Sequence, residues 1–220
     1  MSSHSLIHRC VYRAELADDQ IDLQSAKEDA NWLKNPGGAL LTTSLFQWRR
    51  TLFLYVESAG SPLAPETLRG KGLPSLKSWP GEPGQGRVWV PMMDIFHYST
   101  PQNLDHWRRK TPVERPFGRV IRLRPEKVSS YIFYHYQLQE ERPGRGDKYG
   151  VITLHEDLLF FYQEHPRVSE ESPAQPSLKT SNTPENWGEL MSQHFAPWPD
   201  AGEPEWRPVA LIHSVGLPEK

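Results

Sequence analysis

The sequence predicts an α+β fold built from two similar βαββαβ halves in tandem. Runs of β-branched and aromatic residues alternate with helical spacing, and the same order of elements occurs twice. Short stretches of the halves also match. Leu52-Phe53-Leu54-Tyr55-Val56-Glu57 pairs with Leu159-Phe160-Phe161-Tyr162-Gln163-Glu164, Trp79-Pro80 with Trp198-Pro199, and Trp89-Val90-Pro91 with Trp206-Arg207-Pro208. These matches keep their order along the chain, which is the mark of an internal repeat. The length of 220 residues suits two units of roughly 100 residues each.

In the first half, Leu6 to Leu16 reads as a strand. Asp18 and Asp19 can start a helix in which Leu23, Ala26, Ala30 and Leu33 recur at helical spacing, and Asn35-Pro36-Gly37-Gly38 stops it. Ala39 to Phe46 and Thr51 to Glu57 form a hairpin turning near Arg49 and Arg50. A weak helix around Glu66 to Lys77 follows in a Pro- and Gly-broken stretch, and Arg87 to Tyr98 closes the half as a strand.

The second half repeats the order. Gly118 to Arg124 is a strand, and Pro125 to Leu138 a helix with Pro125 in its first turn. Tyr149 to Leu154 and Leu158 to Glu164 form a hairpin turning near Glu156 and Asp157. Thr183-Pro184-Glu185 starts a second helix carrying Trp187, Leu190, Met191 and His194 on one stripe, and Trp206 to Val215 is the last strand. The expected division is residues 1–99, a linker over 100–117, and residues 118–220. A four-stranded sheet with both helices on one face must bury its other face. Two such ferredoxin-like halves are therefore expected to form one intrachain α/β barrel around a central cavity.

Composition narrows the function. A formal charge of −2 gives no electrostatic reason to expect nucleic acid or an anionic membrane as partner. The single cysteine, Cys10, excludes an intrachain disulfide and a Cys-rich zinc site. No apolar run approaches the ~20 residues of a membrane span, so a soluble, cytoplasmic monomer or homodimer is expected. Apolar content is only 37%, but eight Trp, eight Tyr and eight Phe can fill a core with few residues and provide stacking floors for ligands. His4 and His8 lack a third ligand at telling spacing, so no metal is assigned. Arg108-Arg109-Lys110 and the charges from Arg142 to Lys148 read as solvated, on the linker and on a hairpin loop.

From Arg119 onward the chain resembles the L-rhamnose mutarotase family. The resemblance rests on Pro125-Glu126 after the first strand, then Tyr131 and His135 four apart. It continues with the strands Tyr149-Gly150-Val151-Ile152 and Leu159 to Glu164, the helix bearing Trp187, and the closing strand Val209 to His213. The chain departs from the family where Tyr136-Gln137-Leu138-Gln139-Glu140 lacks a tryptophan, and where Asn186 replaces one of two adjacent tryptophans. The first half shares the strand order but not these residues.

The resemblance implies a cofactor-free isomerase that interconverts the anomers of a rhamnose-like monosaccharide. It implies His135 as acid/base, Tyr131 as its support, and Trp187, Tyr149 and Tyr162 as substrate-binding residues. Mutarotation needs positioned acid/base groups, and histidine, near ~6.5, is suited to the task. Tyr131 to Tyr136 is β-prone as well as helical, yet an i, i+4 pair shares a face in either form. The competing reading makes Val128, Tyr131, Ile132, His135 and Leu138 a packing stripe. Two further alternatives remain. One is a haem-binding or monooxygenase barrel using His97 or His213. The other is a non-catalytic binding or scaffold protein.

Overall fold

A computed structural model describes residues 6–18, 20–24, 31–80, 86–142 and 144–216. Its strands are β1 (Ile7–Glu15), β2 (Leu40–Trp48), β3 (Thr51–Ala59), β4 (Val90–Pro91), β5 (Met93–His97), β6 (Arg115–Leu123), β7 (Arg145–Asp147), β8 (Val151–His155), β9 (Leu158–His165), β10 (Ser169–Glu171), β11 (Phe195–Ala196) and β12 (Arg207–Val215). The helices are α1 (Leu104–Trp107), α2 (Val128–Glu141) and α3 (Trp187–Ser192). No helix among the described residues is long and apolar enough to cross a membrane.

This architecture overturns the expected α+β, ferredoxin-like halves and α/β barrel. The described residues are mostly antiparallel β, and the three helices have only 4, 14 and 6 residues. The reason is clearest in the first half. Ala26 and Ala30 of the expected first helix lie outside the described residues, but its flanks are not helical. Asp18 and Asp22 fold back on the amides of Gln20 and Gln24, and the Gln47 side chain holds Ile21 and Leu23. In place of the second helix there is one 3₁₀ turn, Pro65–Leu68. The backbone around it bonds instead to the stretch after residue 30: Lys34 donates to Leu68, Gly70 to Trp32 and Gly72 to Asn31. A Cβ on Gly70 would lie 1.8 Å from the Asn31 carbonyl oxygen, so only glycine permits this approach.

The chain forms two compact units. Unit 1 comprises the described residues within Met1–Met92, Pro101–Pro116 and Val209–Lys220. Its strands lie in the order β4-β1-β3-β2-β12. The β2–β3 hairpin turns through Arg49, whose φ of 54° allows the two-residue connection. The alternation of β3 sends Leu52, Leu54 and Val56 into a core with Ala14, Leu16, Leu45, Trp89 and Ile212. Its other side chains, Phe53, Tyr55 and Glu57, are also fully buried.

Glu57 determines how that second side is satisfied. Burial would raise its pKa, but the Arg109 guanidinium and the Tyr55 hydroxyl bond to it and hold it below the usual carboxylate range. Arg109 was expected in solvent. It is instead buried, delivered just after α1, a single turn capped by the Asn103 side chain with Trp107 buried.

Unit 2 comprises Met93–Thr100 and Phe117–Pro208, within which residue 143 is not described. The expected single strand from Arg87 to Tyr98 is broken at Met92: β4 pairs with β1, whereas β5 pairs with β8. Pro91 has no N–H to give a ladder, which favours a strand end there. The strand order in unit 2 is β6-β9-β8-β5, with β11 on β6, and β10 and β7 form a separate pair. The β8–β9 hairpin turns through Glu156, with φ 58°. Helix α2 begins after the 3₁₀ turn Pro125–Lys127. It packs with Tyr131, Val128 and Ile132 among Ile95, Ile121, Leu123, Leu154 and Leu159.

The C-terminal end of α2 holds the Pro-rich stretch that follows β10. Glu141 accepts from the Thr180 and Thr183 hydroxyls and from the Asn182 and Thr183 amides. Against burial, these donors hold its carboxyl at about 2.

Candidate functional site

Unit 2 contains a cavity of about 490 Å³, within the ~300–1,000 Å³ of small-molecule sites. Helix α2 supplies Tyr131 and His135, which the 3.6-residue repeat places one above the other on the buried face. Their rings lie 4.1 Å apart. Nδ1 of His135 is 2.9 Å from the Tyr131 carbonyl oxygen, so it carries the proton and donates. The lone pair then belongs to Nε2. Phe96 and Trp187 pack edge-on against the imidazole at 5.5 and 5.0 Å.

Burial pulls the His135 pKa down to about 4; the Tyr131 carbonyl opposes this and His194 adds to it. The imidazole is therefore neutral at neutral pH. Its resting role in an acid/base pair is that of proton acceptor. Burial pushes the Tyr131 phenol above its ordinary value. It does not ionise near neutrality.

Two polar residues that the sequence reading did not select meet the same cavity. Asp147, at the end of β7, accepts the Tyr149 and Gly150 amides with Oδ1, at 3.1 and 3.2 Å. Its Oδ2 is buried without a hydrogen-bond partner among the described residues. Arg167 Nε stands 3.9 Å away, too far to bond. Burial raises the Asp147 pKa.

Arg119, on β6, lies over Phe161, Trp206 and Phe117 at 5.1, 5.5 and 5.9 Å. Burial lowers its pKa, and its Nε has no hydrogen-bond acceptor among the described residues.

Of the five residues the resemblance implied, the structure brings three together: His135, Tyr131 and Trp187 all line the cavity. Tyr149 and Tyr162 do not. On β9 the period of two turns Phe161 and Gln163 toward the cavity and Tyr162 away from it, where its hydroxyl donates to Glu164. Tyr149 is buried beside Lys148. Trp206 also lines the cavity, whereas Trp89 and Trp198 are buried.

His97 pairs with Asp94 at 3.0 Å and, like His213, lies outside the cavity lining. His8 approaches the Gly60 carbonyl, and His4 lies outside the described residues. Lys148, expected in solvent, is buried and bonds Glu170 at 3.0 Å.

A signal for the missed residues was present in the sequence. The i, i+2 series Phe117, Arg119, Ile121, Leu123 puts one cation in an otherwise apolar series. A lone cation in such a series stands out as a candidate for a ligand.

One wall requires glycine. A Cβ on Gly146 would fall 2.1 Å from Cγ of Tyr98, a cavity-lining ring that packs on Phe96 at 4.9 Å. Gly146→Ala is expected to displace Tyr98 and cost about 1–3 kcal/mol, read as a lower urea midpoint. An unchanged midpoint would contradict the close packing of this wall.

No family model, curated protein or solved structure matches the chain.

Proposed function

We propose that the unit 2 cavity binds a monosaccharide-sized sugar and interconverts its anomers. The observation that carries this reading is the meeting of His135, Tyr131 and Trp187, the residues implied by the L-rhamnose mutarotase resemblance, at one aromatic-walled cavity. Trp187 provides an apolar surface for the sugar ring.

Neutral His135 takes the proton of the anomeric hydroxyl at Nε2, while its Nδ1–H stays on the Tyr131 carbonyl. The Asp147 carboxyl, whose pKa is raised by burial, gives a proton to the ring oxygen. The bond from C1 to the ring oxygen breaks as the C1 carbonyl forms. Rotation about C1–C2 and reclosure with the proton transfers reversed give the other anomer, with no net change in atoms or charge.

Turnover requires His135 unprotonated and Asp147 protonated. The two requirements oppose each other along the pH axis. Activity falls as rising pH ionises Asp147, and again below about pH 4 as His135 gains a proton. Anomer exchange across a panel of aldohexoses and 6-deoxyhexoses, followed by saturation-transfer NMR from pH 4 to 8, tests this. A rate that climbs steadily with pH contradicts the assignment of Asp147 as acid.

A further inference from the structure

We infer that the sugar taken by this cavity carries an oxyanion, a carboxylate or a phosphate, that pairs with Arg119. This rests on the sugar-isomerase reading and adds the substrate class. A neutral sugar would leave the Arg119 charge without a counterion. Arg119 sits against three aromatic rings, with a buried Nε and no carboxylate or carbonyl bonded to it among the described residues.

Arg119 is half-buried: its Nε lies out of water without an acceptor, and burial lowers its pKa accordingly. The rings accept no hydrogen bond in the plane of the guanidinium, so its N–H groups, a fork that suits a carboxylate or phosphate, are still to be matched. Among the described residues, Asp147 is the only carboxylate lining the cavity, and it forms no ion pair with Arg119 within 4.0 Å; its nearby cation is Arg167. The unmatched Asp147 Oδ2 bonds a hydroxyl or the ring oxygen in turn. A polyhydroxy compound with an anionic end matches both. Arg167, exposed and also lining the cavity, adds positive charge for the approach of such a ligand.

The test is calorimetric titration of the native protein and Arg119→Met with hexoses, the matching hexuronates and the matching hexose 6-phosphates. Native protein should bind at least one hexuronate or 6-phosphate about 10- to 100-fold more tightly than its neutral parent, as expected for a charge-assisted hydrogen bond. That ratio should collapse toward one in Arg119→Met, with its fold checked by near-ultraviolet circular dichroism. The two anionic arms decide between carboxylate and phosphate.

Equal binding of neutral and anionic sugars, binding of neutral sugars alone, or no binding in any arm overturns the inference. So does a preference that survives Arg119→Met. Tight, Arg119-dependent anion binding without anomer exchange supports this inference while removing the catalytic reading. Fast exchange of neutral sugars with no anionic preference does the reverse.

Discussion

Arg109→Ala is expected to cost about 3–5 kcal/mol of stability, because it leaves the Glu57 carboxylate buried without its cation. Glu57 is fully buried, and Arg109 reaches both of its oxygens. An exposed ion pair contributes about 0–1 kcal/mol. The difference arises because water cannot replace a partner removed from the interior.

Urea unfolding of the single variants and of Glu57→Met/Arg109→Met measures the effect. The double variant should recover most of the loss, since replacing a buried pair by apolar side chains is often neutral or stabilising. A loss below about 1 kcal/mol for Arg109→Ala would place the pair in the exposed class.

His135→Gln is expected to lower anomer exchange by about 10²–10⁴-fold, the usual contribution of a positioned proton-transfer group. The same substitution has a separate signature in stability. The folded His135 pKa is about 4, below the ordinary 6.5. Between these values the unfolded chain binds the proton and the folded chain does not. The contribution is thus fully present above about pH 6.5 and is lost as pH falls toward 4, amounting to about 3 kcal/mol. His135→Gln removes this part of the pH dependence, read as a flatter plot of unfolding free energy between pH 4 and 6.5. An unchanged plot would contradict the buried, neutral imidazole.

Period and punctuation made many elements legible. Strands β1, β2, β3, β8, β9 and β12 lie where alternation and β-branched or aromatic runs place them, and both hairpins turn at the expected residues. Helix α2 follows from Pro125 and the stripe through Tyr131 and His135.

The fold class was not legible, because the segments read as helices in the first half find other backbone partners. Leu33 and Arg69 form a bridge that no local pattern announces. The site divides the same way. Tyr131 and His135 follow from an i, i+4 relation within one helix, whereas Arg119, Asp147 and Arg167 converge from separate segments. Tyr162 was placed in the site by family likeness, although the alternation of its own strand sends it to the opposite side from Phe161 and Gln163. Arg109 and Lys148 lie in charge runs that resemble solvated surface, and only tertiary contacts with Glu57 and Glu170 reveal them as buried.

The most direct test of the central claim compares native protein and His135→Gln by saturation transfer between the α and β anomeric protons. The sugar panel should include hexoses, 6-deoxyhexoses, hexuronates and hexose 6-phosphates, followed from pH 4 to 8. Native protein is expected to accelerate exchange of at least one sugar over buffer, and His135→Gln, folded by circular dichroism, to return the rate to near that of buffer. No acceleration of any sugar by folded native protein, or an undiminished rate in His135→Gln, would contradict that claim.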